Sequence, residues 1–221
     1  MALDLASLVK LRPMLYHLTA RENLNAIWGV NPKVLRSAAE LIRGIGGKDR
    51  ARRIQRLLRQ RRPEALRIEV AGRTAVLRDQ GPLHAGNIAF EDGLTFDGLV
   101  QLLNERVYFW PGDERGPVVA GRNHFARYTL KEPEDCVVFA ALLAANADST
   151  PQLSCCNSGS PRCNPISGKA PRGPRTFLPA ESFEGTASEV VEVTFLGSVV
   201  LPPEAVEVVS GAEARWRGWA G

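Results

Sequence analysis

The stretch EVVEVTFLGSVVLPPEAVEVV, residues 189–209, narrows the choice of folds more than any other part of the chain. Its Val-rich runs at 189–195, 197–201 and 205–209 alternate in polarity and are cut by Gly197 and by Pro202-Pro203, so they read as short strands. Strands this short need partners from elsewhere. The sequence offers LYHLT at 15–19, LRIEV (66–70) and RTAVLR (73–78) joined as a hairpin through Ala71-Gly72, RVYFW (106–110) stopped by Pro111-Gly112, and CVVFA (136–140). Helical periods fall mostly earlier, over about 20–28, 34–45, 48–61 and 95–104. Helices early, with antiparallel strands around and after them, make an α+β chain. Its 221 residues are enough for one domain over 1–221, with a lead-in helix at 1–13 ended by Pro13, a basic helical insertion at 43–62 and a long loop at 149–179 rich in Ser, Asn, Gly and Pro.

Composition excludes several classes. With 44% hydrophobic and 24% charged residues the chain is in the ordinary globular range. No apolar run reaches the roughly 18–20 residues of a membrane span. The N-terminus MALDLASLVKLRPM carries Asp4 and no basic segment before an apolar core, so it does not read as a signal peptide, and a cytoplasmic location without membrane contact is expected. Cys136, Cys155, Cys156 and Cys163 are then expected as free thiols. Their spacing fits no zinc pattern and no histidine lies near them, so no metal is expected. The net charge of +4 is unevenly spread: Arg43, Lys48, Arg50, Arg52, Arg53, Arg56, Arg59, Arg61 and Arg62 face the single acid Asp49.

Three segments could carry chemistry. In LYHLTARENLNAIWG, strand alternation puts Leu15, His17 and Thr19 on one face and Tyr16 and Leu18 on the other, apolar one. His17 then looks towards a cleft or solvent. Thr19 also stands three residues before Glu22, the spacing of a capping box, which is a purely structural job. In ASEVVEVTF the same alternation groups Glu189 with Val191, Val193 and Phe195, so Glu189 opens the more apolar face. A carboxylate there is paired, raised in pKa, at the rim of a site, or simply a strand end reaching water. In ERVYFWPGD three aromatics at a strand end either wall a cleft for a flat ring or pack.

The order of these pieces resembles the three-part signature of the ADP-ribosyltransferase fold. LYHLTARENLNAIWG resembles the YHxTxxxNLxxIxxxG opening of DarT-type DNA ADP-ribosyltransferases; RVYFWPGD and TASEVVEVTF with VVLPPEAVEVV look like their aromatic and Glu-bearing strands. Over about residues 14–200, LYHLT, RRPEALRIEV, AVLRDQGPL, LLNERVYFWPG, NSGSPRCNP and PRGPRTFLP also resemble the bacterial DUF7002 proteins.

The ADP-ribosyltransferase resemblance implies a split antiparallel sheet with flanking helices and NAD as a substrate. It implies that His17, Leu18 and Thr19, with Asn23 of the same motif, hold NAD. Tyr108 would flank the nicotinamide ring, Glu189 would be the catalytic glutamate, and Arg78 would help activate the acceptor base. The implied acceptor is nucleic acid, single-stranded DNA first, which gives the cationic segment a use: Arg52, Arg53, Arg56 and Arg59 would follow a phosphate backbone. An antitoxin or a hydrolase is the kind of partner such an enzyme has. Transfer to protein or a small molecule, a non-catalytic binding module of the same fold, and removal of an RNA 2′-phosphate stand as alternatives. The loop around Asn157-Ser158-Gly159 has no counterpart in the resemblance; it could close over the substrate or complete a different site.

Overall fold

A computed structural model describes residues 2–28, 33–132, 136–140 as backbone, 150–201 and 206–220; the turn expected at Pro202-Pro203 lies outside them. Helix α1 (Leu5–Leu11) starts where the Asp4 carboxylate accepts the Ala6 and Ser7 amides. Strand β1 (Met14–Thr19) follows, then a 3₁₀ turn and α2 (Leu24–Trp28). Thr19 does not cap that turn. The turn begins at Ala20 with no side-chain cap, and Glu22 reaches Arg67 instead.

Residues 34–45 do not form one helix. β2 (Lys33–Arg36) comes first, and Ser37 then caps α3 (Ala38–Arg43) by accepting the Glu40 N–H at 3.2 Å. The Ser-x-x-Glu spacing at 37–40 starts the helix inside what looked like a continuous period. α4 (Arg50–Arg59) carries the cations, and β3 (Leu66–Val70) and β4 (Arg73–Leu77) form the hairpin. Its turn residues Ala71 and Gly72 have φ of 51° and 73°, the left-handed pair that suits a two-residue hairpin. β5 (Ile88–Phe90) and α5 (Phe96–Asn104, capped by Thr95) lead to β6 (Arg106–Asp113) and the short β7 (Gly116–Pro117).

β6 is not stopped by Pro111-Gly112. Both lie within it, opposite Leu15 and Met14 of β1, and a Cβ at Gly112 would collide with the Gly116 carbonyl. Then come α6 (Val119–Thr129), β8 (Cys136–Ala140), β9 (Gln152–Ser154), β10 (Ala170–Arg172), β11 (Leu178–Pro179), β12 (Glu192–Leu196), β13 (Ser198–Leu201), β14 (Val206–Ser210) and α7 (Gly211–Trp216). The 149–179 stretch thus holds three short strands and is not a featureless loop.

The main sheet runs β11-β9-β12-β6-β1-β8-β14, antiparallel throughout, with β7 on β6. The fold is mixed α+β. Its central strand is shared: β6 pairs β12 over Arg106–Phe109 and β1 over Trp110–Gly112. The β1–β6 ladder ends at Tyr16↔Trp110, so the last half of β1 parts from β6 while staying paired to β8. The sheet forks there.

Apolar clusters close both faces around the fork. Leu15, Phe109, Val193 and Phe195 pack with Leu8 of α1, whereas Tyr16, Trp110, Phe125 and Trp219 pack beneath α6 and α7. Each fully buried side chain of this size contributes roughly 1.5–3 kcal/mol. β1 is therefore covered on both faces, not on the Tyr16/Leu18 face alone. A third cluster, Ala39, Ile42, Ile45, Leu57, Leu58, Ile68, Ala75 and Leu77, gives α3, α4 and the hairpin a core of their own.

Candidate active site

Where β1 leaves β6 the chain lines a half-open hollow of about 260 Å³. His17, Tyr108 and Glu192, from three neighbouring strands, all line it. The backbone explains the first. Beyond Tyr16 no β1 ladder reaches β6, and the Tyr108 carbonyl is met by the His17 side chain, Nδ1 at 2.8 Å. A carbonyl only accepts, so Nδ1 carries the proton. Burial, with Arg78 adding to it, lowers the His17 pKa to about 4. The neutral imidazole then keeps Nε2 as an acceptor.

Glu192 opens β12 and is 2% exposed. Burial raises its pKa to about 7, although the Ser158 N–H donates to Oε2 at 3.1 Å and Arg172 lies near. That amide is held in place from behind. Arg172, also buried, donates from Nε to the Ser158 carbonyl at 3.2 Å and from its terminal nitrogens to the Asn157 and Pro171 carbonyls at 2.9 and 2.7 Å. The Asn157–Gly159 loop thereby becomes a wall of the hollow, and this completes the site that its sequence left unassigned.

The Ser158 hydroxyl is fully buried between Glu192 and Tyr108, close enough to lower the pKa of both, yet makes no hydrogen bond of good geometry among the described residues.

Tyr108 donates its hydroxyl to the Leu103 carbonyl at 3.0 Å and meets Phe177 edge-on; burial holds its pKa well above the usual tyrosine value. Leu18 and Thr19 line the hollow too, along the β1 edge that has left β6. Asn23 is committed to the frame: its amide donates to Thr19 Oγ1 and the Val76 carbonyl and accepts the Val76 N–H at 2.7 Å, tying β1 to β4. Arg78 borders the hollow with its guanidinium 4.8 Å over the Tyr128 ring and 3.4 Å from Glu132; burial lowers its pKa.

Glu189 is not where the sequence put it. It ends a 3₁₀ turn (Ala187–Glu189), is exposed, and accepts the Thr186 N–H and hydroxyl at 2.8 and 2.9 Å. Those bonds, the backbone one first, lower its pKa. It stands outside the hollow, and Glu192, three residues on, stands in it. The signal was present: Thr-x-x-Glu at 186–189 is itself a capping box, and it delays the strand to Glu192.

The arginines of α4 are not brought here either. Arg52, Arg53, Arg56 and Arg59 are exposed, and none lines the hollow. Arg59 donates to Gln101, and Arg62, at the far end of the same run, is buried against Asn104. Trp110, one of the three aromatics expected to wall a cleft or pack, lines the hollow, and so does His124, which the sequence did not single out. Their rings stack at 4.2 Å, and burial, with Arg78 and His17 nearby, lowers the His124 pKa to about 3.

No helix among the described residues is long and apolar enough to cross a membrane. No curated protein and no solved structure matches the chain. A family model matches residues 13–206, which take in every strand of the fork, and the chain therefore belongs to DUF7002, a family of unknown function.

Proposed function

We propose that the protein is an NAD-dependent ADP-ribosyltransferase acting on nucleic acid, with Glu192 in the role expected of Glu189. The observation that carries this reading is the meeting of His17, Tyr108 and Glu192 in one hollow at the parting of a shared strand. An early His-x-Thr strand, a middle aromatic strand and a late Glu strand are the three parts of the ADP-ribosyltransferase signature, and the fork supports a split sheet of that kind.

The chemistry follows from the groups in place. Nε2 of neutral His17 accepts a hydroxyl of the nicotinamide ribose, the β1 edge at Leu18–Thr19 offers backbone groups to the carboxamide, and Tyr108 flanks the ring. The C1′–N bond breaks with its electron pair leaving on nicotinamide, and positive charge spreads over the ribose, as in glycoside chemistry. The Glu192 carboxylate stabilises that charge at close range in a poorly screened site. The acceptor's lone pair forms the new bond to C1′, and its proton passes to Glu192, whose pKa of about 7 suits that transfer.

The test is incubation of the protein with NAD labelled in its adenosine half and single-stranded DNA, RNA or cell protein, reading both label transfer and nicotinamide release. Label on nucleic acid, lost with Glu192→Gln and kept with Glu189→Gln, is the expected result. Label on protein alone would move the reading to that acceptor. No NAD-induced thermal shift and no nicotinamide would overturn it.

A further inference from the structure

A second cleft of about 1080 Å³ adjoins the hollow; Pro82, His124, Asn157 and Ser160 border both. Its walls differ in kind. Arg162, Lys169, Arg175 and Arg127 stand along it, against Glu91, Glu184 and Glu189. Arg175 is 3.2 Å from Glu184 and Arg127 3.9 Å from Asp79, but Arg162 and Lys169 are exposed with no ion pair among the described residues.

Between those two cations the chain makes a tight, held tip. The Asn164 and Gly168 backbones exchange hydrogen bonds at 2.8 and 2.6 Å, and Asn164 Oδ1 accepts the Ile166 and Ser167 amides at 2.8 and 3.3 Å. Gly168, at φ 79°, allows the reversal. At the apex Ile166 is 97% exposed, the most exposed large hydrophobic side chain among the described residues. A lone exposed apolar residue needs no explanation. One fixed on a braced tip whose Asn164, Ser167 and Gly168 line the cleft, between two cations with no ion pair among the described residues, has the form of an apolar wedge set among phosphate contacts.

We propose that this cleft seats a single-stranded DNA acceptor: Arg162 and Lys169 take its phosphates, and Ile166 packs against a base and turns its neighbour towards the hollow. Base-modifying enzymes must hold the target base out of its stack, and a side chain filling the gap stabilises that state. The proposal rests on the nucleic-acid reading above and sharpens it, because it moves the acceptor from α4 to the cleft. Arg52, Arg53, Arg56 and Arg59 line neither cavity.

Fluorescence anisotropy of a short labelled single-stranded DNA, titrated with the whole protein over a salt series, tests it. Arg162→Glu with Lys169→Glu should weaken binding about ten-fold or more and make the salt dependence shallower by about 1.4, two contacts at roughly 0.7 each. Ile166→Ser should weaken binding several-fold and leave the salt slope unchanged. Arg52→Glu with Arg53→Glu and Arg56→Glu should leave affinity within about two-fold. Loss of binding in the α4 variant with the cleft variants unchanged overturns the proposal, and so does a wild-type protein that binds no oligonucleotide. An NAD thermal shift on each variant separates the two readings. Cleft-dependent DNA binding without any NAD shift keeps this proposal and sinks the enzyme, whereas an NAD shift without DNA binding does the reverse.

Discussion

The fork of the sheet and the outer face of α4 carry charged residues under opposite conditions. At the fork Glu192 and Arg172 are buried, His17 is held neutral, and each is fixed by the backbone around it: the Ser158 amide, three carbonyls, the Tyr108 carbonyl. On α4, Arg52, Arg53 and Arg56 stand in water with no partner among the described residues. Charge on α4 is screened within about 8 Å at physiological salt. Charge at the fork is expensive, and a chain keeps expensive groups only where neighbours over-determine their place. The conspicuous cluster in a sequence is therefore the cheap one, and the comparison fails if α4 proves sensitive where the fork is not.

The largest difference should be catalytic. Glu192→Gln keeps the shape and the acceptor oxygen but cannot carry charge, and transfer should fall by about 10²–10³, the usual loss for one group placed against transition-state charge. Glu189→Gln should leave the rate within about two-fold, because that carboxylate only closes its own turn. Nicotinamide release under saturating NAD measures both, and equal losses would mean that the 186–192 segment acts as one structural unit.

Arg172→Ala comes next, and its effect is on stability. It strips donors from the Ser158, Asn157 and Pro171 carbonyls in a buried setting, and denaturant unfolding should show a loss of about 3 kcal/mol or more. Arg172→Lys should recover part of it while still weakening NAD binding, since the Ser158 amide is then less well aimed at Glu192. If Arg172→Ala unfolds no more easily than an α4 variant, the contrast between the regions is broken.

pH sharpens the contrast further. Between about pH 4.5 and 7 folded Glu192 holds a proton that the unfolded chain has released, so this residue's contribution to stability falls as pH rises. His17 and His124 act oppositely: between about 4 and 6.5 the unfolded chain binds protons that the folded imidazoles refuse, and stability rises with pH. The difference between wild type and Glu192→Gln isolates the first effect. It should shift against the wild type by about 3 kcal/mol at most from pH 4.5 to 7.5, at 1.36 kcal/mol per unit. A flat difference in urea unfolding across that range would place Glu192 in water.

What the sequence made legible was local. The His-x-Thr strand, the Ala71-Gly72 hairpin, the aromatic strand and the cationic helix all declare themselves by alternation, turn residues or charge. The fork does not, because it depends on where the β1 ladder to β6 stops, a property of three strands at once. The glutamate that opens the late strand is Glu192 and not Glu189, for an instructive reason. The same Ser/Thr-x-x-Glu spacing occurs, among other places, at Thr19–Glu22, Ser37–Glu40, Thr186–Glu189 and Ser210–Glu213; the first is not used as a cap, the second and fourth start helices and the third a turn. Neighbours decide which: Arg67 draws Glu22 away, whereas Glu189 among the described residues binds Thr186. Arg172 was invisible for the same cause, since two of its three partners are backbone carbonyls fourteen and fifteen residues off.

The smallest effect is expected on α4 itself. Replacing Arg52, Arg53 and Arg56 together by Ala should change unfolding free energy by no more than about 0.5 kcal/mol each. Alanine is the best helix former, and like charges at 52 and 56, four apart, repel in the parent, so the balance should tip towards stability, the more so at low salt. The buried Leu57 and Leu58, which join this helix to Ile42 and Ile68, are untouched. Thermal unfolding at two salt concentrations measures this, and a marked loss that salt does not alter would show that these arginines hold the helix in place, which would put α4 on the same footing as the fork.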